Sequence, residues 1–179
     1  MYRNILTYGA IAGVLVGIPL SVLTISMNGH HLPNGVAMAI GYLTMLVALS
    51  AVFVGVKRYR DVDLGGVIGF WPALAMGIGM SVIAGIFYVL AWEISVAIAH
   101  LHFASGYAKA MIDQERARGV TGAALAKFTA EMEQFKTNYA NPFYRLPMTF
   151  IEIFPVGVLV SLVSAALLRN SRFLPARRT

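Results

Sequence analysis

The chain has 179 residues, of which 58% are hydrophobic and 12% charged, with a formal net charge of +6. A mean hydropathy of +0.71 excludes an ordinary water-soluble domain, and the absence of cysteine excludes disulfides, thiolate metal ligands and a cysteine nucleophile. The basic residues flank apolar segments, so the pI near 9.8 reports membrane topology and not nucleic-acid binding.

Four long apolar stretches predict an all-α, integral membrane four-helix bundle. At about 20 residues per span they leave room for one modest element outside the bilayer, within a single domain. The first predicted span is Ile5–Ile25. Its apolar run exceeds the 7–15 residues of a signal-peptide core, and the small-x-small pattern Ala37-Met38-Ala39 occurs only at the start of the next run. An uncleaved helix is expected. Asn28-Gly29 and Pro33-Asn34-Gly35 then signal a turn-rich loop. The second span, Val36–Val56, stops at Lys57, Arg58 and Arg60, and Gly65-Gly66 leads into the third apolar run. Val67–Leu101 is longer than hydrocarbon requires, at roughly 52 Å as a helix. Trp71 and Trp92 stand about 31 Å apart along it, the separation of two aromatic belts, so the span is placed at Phe70–Trp92 with the helix continuing past His100.

Residues 103–146 are polar enough to lie outside the membrane. Leu125, Phe128, Met132, Phe135 and Tyr139 recur at spacings of 3, 4, 3 and 4, an amphipathic stripe. With Gly119 as a break and Thr121 as an N-cap, the segment predicts a helical hairpin packed on itself or on the bilayer surface. Pro147–Leu168 makes the fourth span. Arg3, Lys57, Arg58, Arg60, Arg169, Arg172, Arg177 and Arg178 fall on one side. Lys109, Arg116, Arg118, Lys127, Lys136 and Arg145 fall on the other, interleaved with Asp113, Glu115, Glu131 and Glu133. The positive-inside rule then puts both termini in the cytoplasm and the hairpin outside.

Glu93 and Glu152 are carboxylates in or beside apolar spans, which makes each a site candidate. With Arg145 they form a proposed ligand or proton site near the outer surface, where both acids are expected at similar heights. His30, His31, His100 and His102 fall on the same side. His100 and His102 are candidate metal ligands by type, although His-x-His points to different faces of a helix. A structural account competes: Glu93 paired with Arg145, and Glu152 bonded to a hydroxyl or to the Ile151 carbonyl that Pro155 leaves free. Gly9, Gly13 and Gly17 form a small-residue face on the first helix; Ala73, Gly77, Ser81 and Gly85 form one on the third. Close packing of these two helices is expected, with homodimerisation as the alternative. The basic loop and tail attract anionic lipid, but act chiefly as topology determinants. Gly77-Ile78-Gly79 lacks a phosphate-loop pattern and no nucleophile elbow is present, so no catalytic residue and no cofactor is expected.

Val54-Gly55-Val56-Lys57-Arg58-Tyr59-Arg60, then Gly65-Gly66 with Phe70 and Gly77, and later Asn141-Pro142 with Phe150 and Glu152, resemble a bacterial membrane family catalogued as domain of unknown function 4199. The resemblance implies four membrane helices in a bacterial envelope protein, and no established activity. The expected function is a non-enzymatic accessory protein of the bacterial inner membrane that binds a ligand, a lipid or a partner. Its partners would be membrane lipids, a second copy or another membrane protein. A small proton- or ion-coupled transporter is the alternative, and a metal-dependent membrane hydrolase the second.

Overall fold

The computed structural model describes residues 1–26, 34–98 and 103–176. His30, His31, His100, His102, Arg177 and Arg178 lie outside the described residues. Within the described residues the chain is helical and has no strand: α1 (Tyr2–Ser26), α2 (Asn34–Arg58), α3 (Phe70–Ile98), α4 (Phe103–Ala117), α5 (Gly122–Ala140) and α6 (Pro142–Leu168), with a π-helical turn, Tyr59–Asp63, continuing α2.

The helices α1, α2, α3 and α6 are long and apolar enough to cross a membrane, in the order the sequence predicts. Only 28–44% of the residues in the most apolar part of each are buried. Leu6, Ile18, Leu43, Val47, Leu90, Ile151 and Leu159 all point outward. A helix that is apolar on every side needs protein or hydrocarbon around it, and here the protein covers the minority. The bundle is arranged around α3, which packs on α1 and α6; α2 closes the ring against α1 and α6 and touches α3 across it.

The glycine faces pack within the chain, but not against each other. A Cβ on Gly9 would stand 2.7 Å from the Cβ of Ile83, one on Gly17 2.9 Å from that of Ala91, and one on Gly13 would strike Phe87. The first helix therefore receives the larger side chains of α3. The small face of α3 is turned to α6 instead: Gly77 abuts Ser161, Gly85 abuts the ring of Phe150, and Ser81 abuts Gly157. One helix can seat two neighbours when each lies against a different stripe. At the second seam the Ser81 and Ser161 hydroxyls meet at 3.2 Å and donate to the carbonyls of Gly77 and Gly157.

One end of the bundle holds both described chain ends and the 59–69 loop. Asn4 Nδ2 donates to Asp63 Oδ2 at 3.0 Å. Arg60, expected from the sequence as a topology determinant, is 0% exposed. Its guanidinium donates to the carbonyls of Leu168 (3.4 Å), Phe173 (3.0 Å) and Leu174 (2.6 Å) and to Asp61 Oδ1 (2.6 Å). A planar fork of five donors matches the carbonyl left over at the end of α6 and two in the segment after it, so the side chain locks the C-terminal segment under the bundle. Lys57 reaches the second oxygen of Asp61.

The hairpin stands at the opposite end. The two helices α4 and α5 pack on each other and α5 meets α6, so the predicted stripe is half-buried from Leu125 to Phe135 and buried at Tyr139. Gly119 makes the break with φ +85°, a left-handed conformation that disfavours side chains. Thr121 occupies the N-cap position, but its hydroxyl makes no cap bond. The last helix starts at Pro142, five residues before the expected Pro147. The cause is Asn141, whose Oδ1 accepts from the Phe143 N–H at 3.0 Å, followed by a proline at N1 where its missing donor is not needed.

Candidate functional site

Where the hairpin meets the bundle, α3, α5 and α6 build a polar layer. Arg145, near the start of α6, forms a two-pronged ion pair with Glu93 of α3: Nε to Oε1 at 2.7 Å and Nη2 to Oε2 at 2.6 Å. The side chains are 15% and 27% exposed. Arg145 also donates from Nη1 to the Tyr139 carbonyl (3.2 Å) and lies 5.7 Å from the centre of the Tyr139 ring. Fork-to-fork geometry in a partly dry site makes this a directional contact. It ties α3 to the junction between α5 and α6.

A second tie runs beside it. Trp92 Nε1 donates to the Tyr139 hydroxyl at 2.8 Å. Aromatic rings continue from there into the hairpin: Trp92 packs edge-on against Phe103 at 5.0 Å, and Phe103, Tyr107, Phe135 and Tyr139 follow at 5.4–5.9 Å. Burial pushes the Tyr139 phenol above its usual range, while the Trp92 hydrogen bond and Arg145 act in the opposite direction. Its phenol is therefore neutral and well suited to accept from the indole.

Glu152 lies two helical turns below Arg145, about 10 Å deeper. The acids do not share one ion pair: Arg145 is given over to Glu93, whereas the side chain that acts on Glu152 is Tyr88 of α3. Among the described residues no basic side chain acts on Glu152. Tyr88 is nearly fully buried and has Tyr42 and Tyr139 within electrostatic range. Tyr139 senses both Glu93 and Glu152, so the two acids border one layer at different depths. Of the partners expected for Glu152, the hydroxyl side chain that acts on it is Tyr88 on another helix.

The candidate site residues Glu93, Arg145 and Glu152 are thus gathered at one end of the bundle. Of the candidate metal ligands, His100 and His102 lie outside the described residues; among the described ones, no group of three His, Asp or Glu side chains is placed to hold a metal. Sequence reasoning took Trp92 as a belt marker and Tyr139 as a stripe residue, and missed Tyr88 and Tyr42. For Tyr88 a signal exists: extending the small-residue stripe of α3 beyond Gly85 by three and then four residues lands on Tyr88 and Trp92. For Tyr42 the sequence holds no such mark.

The family model described as "Protein of unknown function (DUF4199)" matches residues 7–170, a span that contains every stretch carrying the resemblance. No curated protein and no solved structure matches the chain.

Proposed function

The chain belongs to the DUF4199 family of proteins of unknown function, and from that premise we propose that it is a non-enzymatic, ligand-binding accessory protein of a bacterial inner membrane. Both termini face the cytoplasm in this reading and the α4–α5 hairpin faces outward. The observation that carries it is the unequal fate of the two carboxylates. Glu93 is neutralised in place by Arg145 and closes the hairpin onto the bundle. Glu152 forms no ion pair among the described residues and has the Tyr88 phenol beside it, a costly arrangement at membrane depth for a group without a task.

Binding is favoured over transport by the seam beneath Glu152. There α3 and α6 approach closely through Gly77, Gly157 and the paired hydroxyls of Ser81 and Ser161. Native mass spectrometry of the protein released from detergent tests the reading. The wild type is expected to carry a small molecule or lipid that Glu152→Gln loses; equal occupancy in both overturns it. The absence of cysteine gives a clean test of sidedness. An impermeant maleimide applied to intact cells should label Ser105→Cys in the hairpin and spare Arg172→Cys.

A further inference from the structure

The seam between α2 and α6 continues downward from Glu152 as a groove. Tyr42, Leu46, Ser50 and Phe53 follow at spacings of 4, 4 and 3 and share one face of α2. Glu152, Val156, Leu159 and Val163 follow at 4, 3 and 4 and share one face of α6, as residues three and four apart do. The lower members of both stripes, with Val160, line a groove of about 310 Å³, at the small end of ligand pockets. The top members are Tyr42 and Glu152. Each stands sixteen residues before the end of its helix, Arg58 or Leu168, hence about 24 Å up. The two ends lie side by side, because Arg60 bonds the Leu168 carbonyl. Tyr42 and Glu152 are therefore level, and both are within electrostatic range of Tyr88 on α3 behind them.

At this height the seam is open. Val36, Met38, Ala39, Ile40, Tyr42 and Leu43 are all exposed, and a Cβ on Gly41 would have nothing within 4 Å. This part of α2 is thus largely exposed, and among its described residues the first buried one is Met45.

The chemistry of this head is one-sided. It offers one carboxylate and the phenols of Tyr42 and Tyr88, while Arg145 is held by Glu93. A carboxylate at the hydrocarbon edge calls for a countercharge, and phenol rings receive ammonium groups on their faces. A phosphate there would meet only a like charge, so phospholipid headgroups are disfavoured. We infer that the α2–α6 seam binds a cationic amphiphile lacking phosphate, with its ammonium group at Glu152 between Tyr42 and Tyr88 and its hydrocarbon chain in the groove between Leu46 and Val163. This rests on the ligand-binding reading of Glu152 and adds the class of ligand.

The test is photo-crosslinking with a diazirine-bearing dodecyltrimethylammonium, on the full chain in dodecyl maltoside. Label is expected on peptides holding Leu46–Phe53 and Leu159–Val163. Unlabelled dodecyltrimethylammonium should remove it and dodecylphosphocholine should not. Glu152→Gln should lower it about tenfold, a loss of about 1.4 kcal/mol in binding. Ser50→Trp, an exposed position that fills the groove without touching Glu152, should lower it severalfold and stands in if Glu152→Gln does not fold. Unchanged labelling in the folded Glu152→Gln protein, unchanged labelling in Ser50→Trp, or equal competition by dodecylphosphocholine overturns the inference. If a neutral diazirine-bearing alkyl maltoside labels the same peptides and depends equally on Glu152, the cationic assignment falls while the ligand-binding reading stands.

Discussion

Arg60 and Arg145 sit at opposite ends of one bundle, and the difference between them separates a lock from a site. Arg60 has no exposed surface and spends its donors on main-chain carbonyls of the C-terminal segment, with Asp61 at its Nε. Carbonyls cannot be mutated away or retitrated, so this end has one arrangement. Arg145 depends chiefly on one side chain of another helix, Glu93, in a layer still partly open to solvent. Two turns below it an acid has no basic partner among the described residues. The first arginine closes a structure, whereas the second organises a region in which charge is left available.

The largest effect is expected from breaking the lock. Arg60→Met leaves Asp61 and three carbonyls behind, and breaking a buried charged network costs about 3 kcal/mol, or a melting temperature lower by roughly 6–12 °C at this chain length. Trypsin should also cut sooner after Arg169 and Arg172. A thermal scan in detergent that moves by less than about 2 °C would erase the contrast. Next comes the ion pair. Arg145→Met and Glu93→Gln should each cost about 2 kcal/mol, with a coupling of about 1–2 kcal/mol in a double-mutant cycle. Simple additivity would mean that the pair behaves as an ordinary surface contact.

Tyr139→Phe removes the acceptor of the Trp92 indole and should cost about 1 kcal/mol, read from the melting curve and a shift in tryptophan emission. Because burial raises the Tyr139 pKa in the folded chain, its contribution is intact below the unfolded value of about 10 and fades as pH rises through the folded value. The variant should lack that alkaline part of the hairpin's loosening. The smallest change belongs to Glu152→Gln, expected within about 0.5 kcal/mol of the wild type. A group that matters for a ligand and not for the fold should behave so; a large loss of stability would move Glu152 to the side of Arg60.

Much of this layout was legible in advance because bilayer thickness translates directly into helix length. The four spans, the hairpin stripe through Phe128 and Phe135, and the break at Gly119 follow from period, composition and turn chemistry. The pairing of Arg145 with Glu93 was one option of the structural account, whereas counting rises put Glu93 and Glu152 at similar heights. The burial of Arg60 did not follow, since a basic residue beside Lys57 and Arg58 looks like any topology signal until the chain after Leu168 folds back over it. Nor did the partition of the glycines. Four-residue spacing shows that a helix face is small, but not which neighbour fills it.

What the amino-acid order determined alone is the solvent and the elements: apolar runs of spanning length, a polar hairpin between the third and fourth, and acids in or beside the spans. Only the tertiary structure decided which charges are cancelled. Glu93 and Arg145 lie 52 residues apart and Tyr88 and Glu152 farther still, and contacts at such separations depend on the rotation of each helix about its axis. That rotation is set by the packing of α1, α2 and α6 around α3, a property of all the faces together and of no single segment.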